Sequence, residues 1–249
     1  MTIRTYLPID NTTQERLANV EVGLKLVSIL CPIGELETRE INDVDWQNKW
    51  KDYFFPIPVG EKILICPSWR DVDTNQVRKL IYLDPGMAFG TGHHPTTRMC
   101  LELLEKVIKD NSVVLDFGSG SGILSIAATK LGAEKCVGIE IEPNAVKSAN
   151  ENILKNNVQE KIMLINDTFN QSLIPNIKFN LVIANISTKI ILETFEKLDF
   201  NLEKSGNMIL SGILKDSFYQ VETQIKKFKY QIDELLTEND WIAVRITKN

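Results

Sequence analysis

Short apolar runs alternate with stretches of helical periodicity from Val113 onward, which is the pattern of a parallel sheet wrapped by helices. The apolar runs predict strands at Val113–Phe117, Cys136–Ile141, Lys161–Ile165, Asn180–Ile186, Met208–Ser211, Tyr230–Leu236 and Trp241–Thr247. Amphipathic stretches predict helices over about Ile123–Leu131, Pro143–Asn156, Lys189–Leu198 and Asp216–Phe228. Pro143 suits a first helical position, where its missing N–H leaves no bond unmade. Only Thr237–Asp240 separates the last two strands, too little for a crossover helix, so they pair antiparallel. The expectation is a seven-stranded sheet that ends in an antiparallel hairpin.

Upstream, Lys62–Cys66 and Lys79–Leu83 read as two strands joined by a polar loop, expected to form a hairpin beside the sheet. Residues 1–40 predict a strand (Ile3–Leu7), a helix from Thr12 to about Leu30 and a strand near Glu35–Glu40, together a small α/β lobe. The segment Asp43–Pro56 is dense in aromatics, with Trp46 and Trp50 on one helical face, and reads as a connecting helix docked on the core. The domain expectation is therefore a small lobe with linker helix over 1–57 and a larger α/β domain over 58–249.

Composition narrows the class. A formal charge of -5 argues against a protein that clings to nucleic-acid phosphates, which needs a basic face, and suits a basic protein partner better. Cys31, Cys66, Cys100 and Cys136 stand far apart without a Cys-x-x-Cys pair, so neither a disulfide framework nor a zinc site is expected. The N-terminus is polar and no apolar run reaches membrane-spanning length, giving the expectation of a soluble, cytoplasmic protein.

The densest chemical signal is Val113-Val-Leu-Asp-Phe-Gly-Ser-Gly-Ser-Gly-Ile-Leu124, followed by Gly138-Ile-Glu-Ile-Glu142. A strand passes Asp116, enters a turn with Gly118, Gly120 and Gly122, and opens a helix; a second strand then ends in Glu140. Gly118 and Gly120 let the backbone approach a ligand closely, and the helix start offers free N–H groups to an anionic part of it. Glu140 is placed to accept both hydroxyls of a ribose. NAD and S-adenosylmethionine compete for such a site. The Gly-x-Gly-x-Gly spacing after an Asp, and the terminal hairpin, favour S-adenosylmethionine over the Gly-x-Gly-x-x-Gly pattern of dinucleotide sites. The alternative is that the glycines only permit strand-to-helix packing and Glu140 is a solvated strand end.

A second cluster, Leu83-Asp-Pro-Gly-Met-Ala-Phe-Gly-Thr-Gly-His-His-Pro-Thr-Thr97, holds both histidines of the chain. A loop so constrained points to function, with Phe89–His94 closing over a cofactor. Thr96 and Thr97 suit capping of the next helix, and the Thr97 hydroxyl is also placed to touch cofactor. His93 and His94, adjacent and without further ligands nearby, make a poor metal set, so no metal is expected. The third cluster is the strand Asn180–Ile186, where Asn185 at the carboxyl end can orient an amine, or can instead cap the helix that follows. Asp167 after the third strand suits an adenine amino group or a plain turn about equally.

Taken together, Asp84–Thr97, Asp116–Gly122, Ala184-Asn-Ile186 and Ser211-Gly-Ile-Leu214, with Asp45-Trp46 and Trp50, resemble the PrmA family of bacterial methyltransferases acting on the eleventh protein of the large ribosomal subunit. The resemblance spans about residues 35–249. It implies the class I S-adenosylmethionine-dependent methyltransferase fold, with a small ferredoxin-like front lobe that is shortened in this chain. It also implies S-adenosylmethionine as cofactor, transfer to lysine ε-amines and an α-amine, and a large-subunit ribosomal protein as substrate. No nucleic-acid or membrane contact is expected, and a monomer is. Cofactor contacts of the family fall on Thr97, Gly118, Glu140 and Asn185, where Glu140 replaces the usual Asp with a longer arm. Gly120, Asp116 and Phe89 complete the expected cofactor set, and Asn185 is the expected catalytic residue.

Overall fold

The computed structural model describes residues 5–248 except 6, 8, 32, 33, 35, 39–53, 71, 73–77, 85–89, 91, 170–173, 175 and 176. The chain divides into two compact units, Met1–Tyr53 and Phe54–Asn249. In the first, the described regular element is a helix, α1 (Thr13–Leu30), whose start is ordered by Asp10: its Oδ1 accepts from the Thr12 N–H at 2.8 Å. Of the expected strand Ile3–Leu7 only residues 5 and 7 are described, and of that near Glu35–Glu40 only 36–38, none of them in a strand; the linker-helix tryptophans Trp46 and Trp50 lie outside the described residues.

The second unit begins with a three-stranded sheet of β1 (Ile57–Val59), β2 (Ile63–Cys66) and β3 (Lys79–Tyr82). Here the expected hairpin is corrected: β2 and β3 run parallel, with Ile63 beside Lys79 and Cys66 beside Tyr82. The physical reason is the dozen residues between them, long enough to carry the chain back over the strand edge as a crossover. The antiparallel partner of β2 is instead β1, joined to it by the tight turn at Gly60. That turn is pinned by Glu105, whose carboxylate accepts the N–H groups of Glu61 and Lys62, both at 2.9 Å.

The main sheet holds seven strands in the order β6-β5-β4-β7-β8-β10-β9. They are β4 (Val113–Phe117), β5 (Lys135–Glu140), β6 (Ile162–Asn166), β7 (Phe179–Asn185), β8 (Leu202–Leu214), β9 (Tyr230–Glu238) and β10 (Trp241–Lys248). The first five run parallel, and β10 lies antiparallel to both β8 and β9, as the short last connection requires. Helices α2 (Pro95–Val107), α3 (Ile123–Leu131), α4 (Pro143–Lys155), α5 (Thr188–Asn201) and α6 (Phe218–Lys227) cover the faces. The seven-stranded sheet with its terminal hairpin is the one the hydrophobic pattern predicts, and it has the class I methyltransferase architecture that the resemblance implies.

Side-chain alternation divides the core in two. Val114, Leu181, Ile183 and Ile209 pack with Met99, Leu103, Ile126 and Ala127 of α2 and α3. Leu115, Val182, Ala184, Met208 and Leu210 pack with Ile191, Phe195, Val221 and Ile225 of α5 and α6. A strand buried on both faces favours apolar residues at successive positions, which is why β4, β7 and the middle of β8 read as near-continuous apolar runs. Where a polar residue interrupts that parity, a reason is required. Asp116, Asn185 and Ser211 are three such interruptions, all on the α2/α3 face at the carboxyl ends of β4, β7 and β8.

Candidate active site

After β4 the backbone turns through Gly118, Gly120 and Gly122 at φ of 76°, 53° and 78°, the left-handed region that residues with a Cβ avoid. The turn is tied to the end of β5, with the N–H groups of Gly118 and Ser119 donating to the Ile139 carbonyl at 2.9 and 3.0 Å. At Gly118 a Cβ would stand 2.4 Å from Cγ2 of Ile186, the residue after Asn185, so this glycine is needed for close approach as well as for its dihedral.

Glu140 stands across the turn at the tip of β5. Its Oε2 accepts from the Gly120 N–H at 2.9 Å and its Oε1 from the Glu142 N–H at 2.9 Å. The carboxylate is thus aimed along the sheet edge with lone pairs to spare, an arrangement suited to the two hydroxyls of a ribose.

Asp116 is fully buried. Its Oδ2 accepts both the Ser125 hydroxyl at 2.6 Å and the Ser125 N–H at 3.0 Å, and its Oδ1 has no hydrogen-bond partner. Burial pushes its carboxyl up to about 6; the Ser125 bonds pull it down, and the charge of Glu140 adds a smaller upward push. Asp116 therefore clamps the first turn of α3 to β4, a role the sequence did not disclose. The missing partner, Ser125, was available to inspection, since it lies one helical turn past Gly122 on the strand-facing side.

Asn185 meets Thr97 from α2, 88 positions away, with Nδ2 at a long 3.4 Å from the Thr97 hydroxyl oxygen. The Asn185 Oδ1 atom is shielded from solvent and accepts no hydrogen bond. The capping alternative for Asn185 is not what the fold uses: Ser187 precedes α5 as its N-cap residue. Nor do Thr96 and Thr97 cap α2, as expected from the sequence. His94 does so, its Nδ1 accepting from the Thr96 N–H at 3.4 Å and lying 2.8 Å from the Thr96 hydroxyl. The correction follows from Pro95, which favours the first helical position and so places the cap one residue before itself. Both threonines are then buried inside the first turn.

His94 also stands edge-on to Trp241, ring centroids 5.2 Å apart, and His93 edge-on to Phe54 at 5.6 Å. Both histidines are thus engaged in loop packing, and among the described residues no group of three potential ligands is placed to hold a metal. Cys66, Cys100 and Cys136 are buried free thiols. Asp167 Oδ1 accepts from the N–H and the hydroxyl of its neighbour Thr168, at 2.6 and 3.1 Å. Phe89 lies outside the described residues.

Three buried polar atoms without partners, Asp116 Oδ1, Ser119 Oγ and Asn185 Oδ1, therefore sit along the carboxyl ends of β4 and β7. Such atoms are few in folded proteins, because each forgoes the hydrogen bond that would offset its desolvation. Their gathering beside a glycine turn leaves polar atoms available to a ligand at this edge of the sheet.

Comparison with known proteins agrees with the geometry. A family model described as "Ribosomal protein L11 methyltransferase (PrmA)" matches residues 1–249, extending the likeness from about residue 35 through the front unit. The chain is 40% identical to the ribosomal protein L11 methyltransferase of Dictyoglomus thermophilum, across 97% of this chain and 79% of that protein. It is 37% identical to that of Alkaliphilus oremlandii, across 97% and 78%. Among solved structures, a ribosomal protein L11 methylase from Lactobacillus delbrueckii subsp. bulgaricus superimposes with a TM-score of 0.72 at 32% identity, covering 79% of this chain and all of that one. A precorrin-6y C5,15-methyltransferase from Geobacter metallireducens, at 16% identity and a TM-score of 0.54, shares the fold.

Proposed function

The chain belongs to the ribosomal protein L11 methyltransferase (PrmA) family, and from that membership we propose that it methylates lysine ε-amines and the α-amine of ribosomal protein L11, with Asn185 holding the incoming amine. Its methyl donor is S-adenosylmethionine, which when bound supplies a methyl group activated on a sulfonium. The residues suited to hold that cofactor are Gly118, Gly120, Glu140, Thr97 and Asn185, with Phe89 from the adjoining loop and Asp116 acting through Ser125 beneath the turn.

The observation that carries the reading is the Asn185 side chain. Its amide nitrogen is directed at the buried Thr97 hydroxyl, which fixes which way the amide points and leaves Oδ1 as an acceptor shielded from water. An amine arriving there donates one N–H to Oδ1, and its lone pair is thereby oriented for attack. Only a neutral amine has that lone pair, so exclusion of water around Oδ1 favours the uncharged form. Positioning of this kind, rather than a strong base, supplies most of the rate in a displacement between two held partners.

We assign substrate recognition to the front segment, 1–57, and transfer to 58–249. The acidic balance of the chain supports a basic protein as partner and no nucleic-acid contact. A monomer in the cytoplasm completes the proposal; among the described residues no helix is long and apolar enough to cross a membrane. Incubation with methyl-labelled S-adenosylmethionine and purified L11, with cell extract in parallel, tests it. Label on L11 is expected. Label confined to another protein would replace the substrate, and cofactor binding without transfer would replace the activity.

A further inference from the structure

Ser121, between the second and third glycines of the turn, is 3% exposed and bonded in two directions. Its carbonyl accepts from Asn152 Nδ2 of α4 at 2.9 Å, which holds the residue against the helix layer. Its hydroxyl leaves the turn and donates to the Gly90 carbonyl at 2.7 Å, in the histidine-bearing loop 31 positions upstream. Immediately before it, the Gly120 N–H donates to Glu140. One dipeptide therefore touches the ribose-binding candidate through its backbone and the remote loop through its side chain.

The loop side of this contact is equally constrained. Gly90 has φ of 96°, and a Cβ there would stand 2.9 Å from the Ser121 hydroxyl oxygen. Two residues on, Gly92 has φ of 83°, and a Cβ would stand 2.5 Å from Cδ1 of Ile65 on β2. Further along, His94 caps α2, the helix that carries Thr97. Movement of Gly90 is thus resisted on one side by the glycine turn and, through Gly92, on the other by β2.

We propose that Ser121 is a positioning residue that couples the two ligand-handling segments, so that ordering of the glycine turn by bound cofactor is passed through its hydroxyl to the loop at Gly90. The coupling rests on the reading of the turn as the cofactor site. It needs no contact between Ser121 and the cofactor. It makes the loop, which leads into Thr97 and the amine site, respond to whether cofactor is in place. A buried neutral hydrogen bond of this length is of the size that shifts a local equilibrium about 3- to 10-fold.

Hydrogen exchange of the whole protein, with and without S-adenosylhomocysteine, tests the coupling. In the wild type, the ligand is expected to slow exchange both at 118–122 and at 84–97. In Ser121→Ala, slowing at 118–122 is expected to persist while that at 84–97 falls by about 3- to 10-fold. Gly90→Ala supplies a second perturbation from the opposite side: its effect on ligand affinity should be smaller in the Ser121→Ala background, where the hydroxyl it collides with is gone. Undiminished loop protection in Ser121→Ala, or none in the wild type, overturns the coupling alone. Failure of the ligand to protect even 118–122 in the wild type defeats the cofactor site itself, and the coupling with it.

Discussion

Asn185 and Asp116 are both polar residues at the carboxyl end of a buried strand, yet the structure gives them opposite work. Asn185 keeps an acceptor for something that is not part of the chain, so its loss should strike turnover first. Asn185→Ala is expected to lower kcat about 100-fold, the usual penalty for misplacing one reacting partner. The dissociation constant for S-adenosylmethionine should rise only about 3- to 10-fold, the worth of one neutral hydrogen bond. Single-turnover kinetics beside calorimetric binding separate the two, and equal losses in both would reduce Asn185 to a cofactor contact. Asp116 instead spends its acceptor on Ser125, and its buried carboxyl is raised to about 6 from an ordinary 3.8, with desolvation the main cause. The folded state therefore binds a proton more tightly than the unfolded chain. Stability from this group is present in full below pH 4 and is lost as pH climbs through about 6, leaving a penalty on the order of 3 kcal/mol at neutral pH. Asp116→Asn keeps an oxygen for Ser125 and cannot ionise. Its denaturant midpoint relative to wild type should therefore rise between pH 4 and 7, and parallel profiles would show that Asp116 does not titrate in this range.

At the scale of elements, the glycine turn and the residue after β7 approach so closely that a Cβ on Gly118 would stand 2.4 Å from Ile186 Cγ2. Gly118→Ala is expected to lose on the order of 1–3 kcal/mol of stability from its positive φ alone. Contact of the new Cβ with Ile186 Cγ2 adds to that loss. Adding Ile186→Ala removes the collision but not the dihedral strain, so cofactor affinity should recover in the double variant while thermal stability does not. What was readable beforehand follows the same division between local and remote causes. The helix α3 and strand β4 have the bounds their apolar pattern predicts, because a period of two or of about three and a half is written in consecutive residues. The parallel pairing of β2 with β3 was not readable: alternation says that a run is a strand, and is silent about its neighbour's direction. Strand β8 extends well beyond the predicted Met208–Ser211, reaching Leu202 and Leu214. Its early stretch joins β7 at Leu202 and again at Asn207, across a register shift that spans polar residues with no apolar signal. At the candidate site the structure brings the glycine turn and Glu140 together, as their short spacing along the chain allows. The Ser121 contact with Gly90 was not readable, since a serine among glycines carries no sign of which carbonyl it will reach, whereas Ser125, nine positions from Asp116 and one helical turn past Gly122, was within reach of inspection.

For the whole Phe54–Asn249 unit, ligand binding and stability are one measurement. The site draws on residues from β4, β5, β7 and α2, so unfolding of the unit scatters all of them and the unfolded chain retains no affinity for the cofactor. A ligand that binds only the folded state stabilises it by RT ln(1 + [L]/Kd), about 2.7 kcal/mol at a hundredfold excess over Kd. For a domain near 200 residues each kcal/mol moves Tm by roughly 2–4 °C. S-adenosylhomocysteine at that excess should therefore raise the Tm of this unit by roughly 5–10 °C, and the rise should continue logarithmically with concentration. Replacing Glu140 with Gln removes the charge proposed to meet the ribose hydroxyls while preserving an acceptor for the Gly120 N–H. Its concentration series should be displaced to higher ligand without a change in limiting slope, because the slope reports stoichiometry and the displacement reports affinity. NAD at the same concentrations should leave Tm where it is, since the Gly-x-Gly-x-Gly spacing of the turn favours S-adenosylmethionine over a dinucleotide. A Tm that rises equally with both ligands would mean that the Gly-x-Gly-x-Gly turn does not discriminate, and that the choice of methyl donor is made elsewhere in the chain.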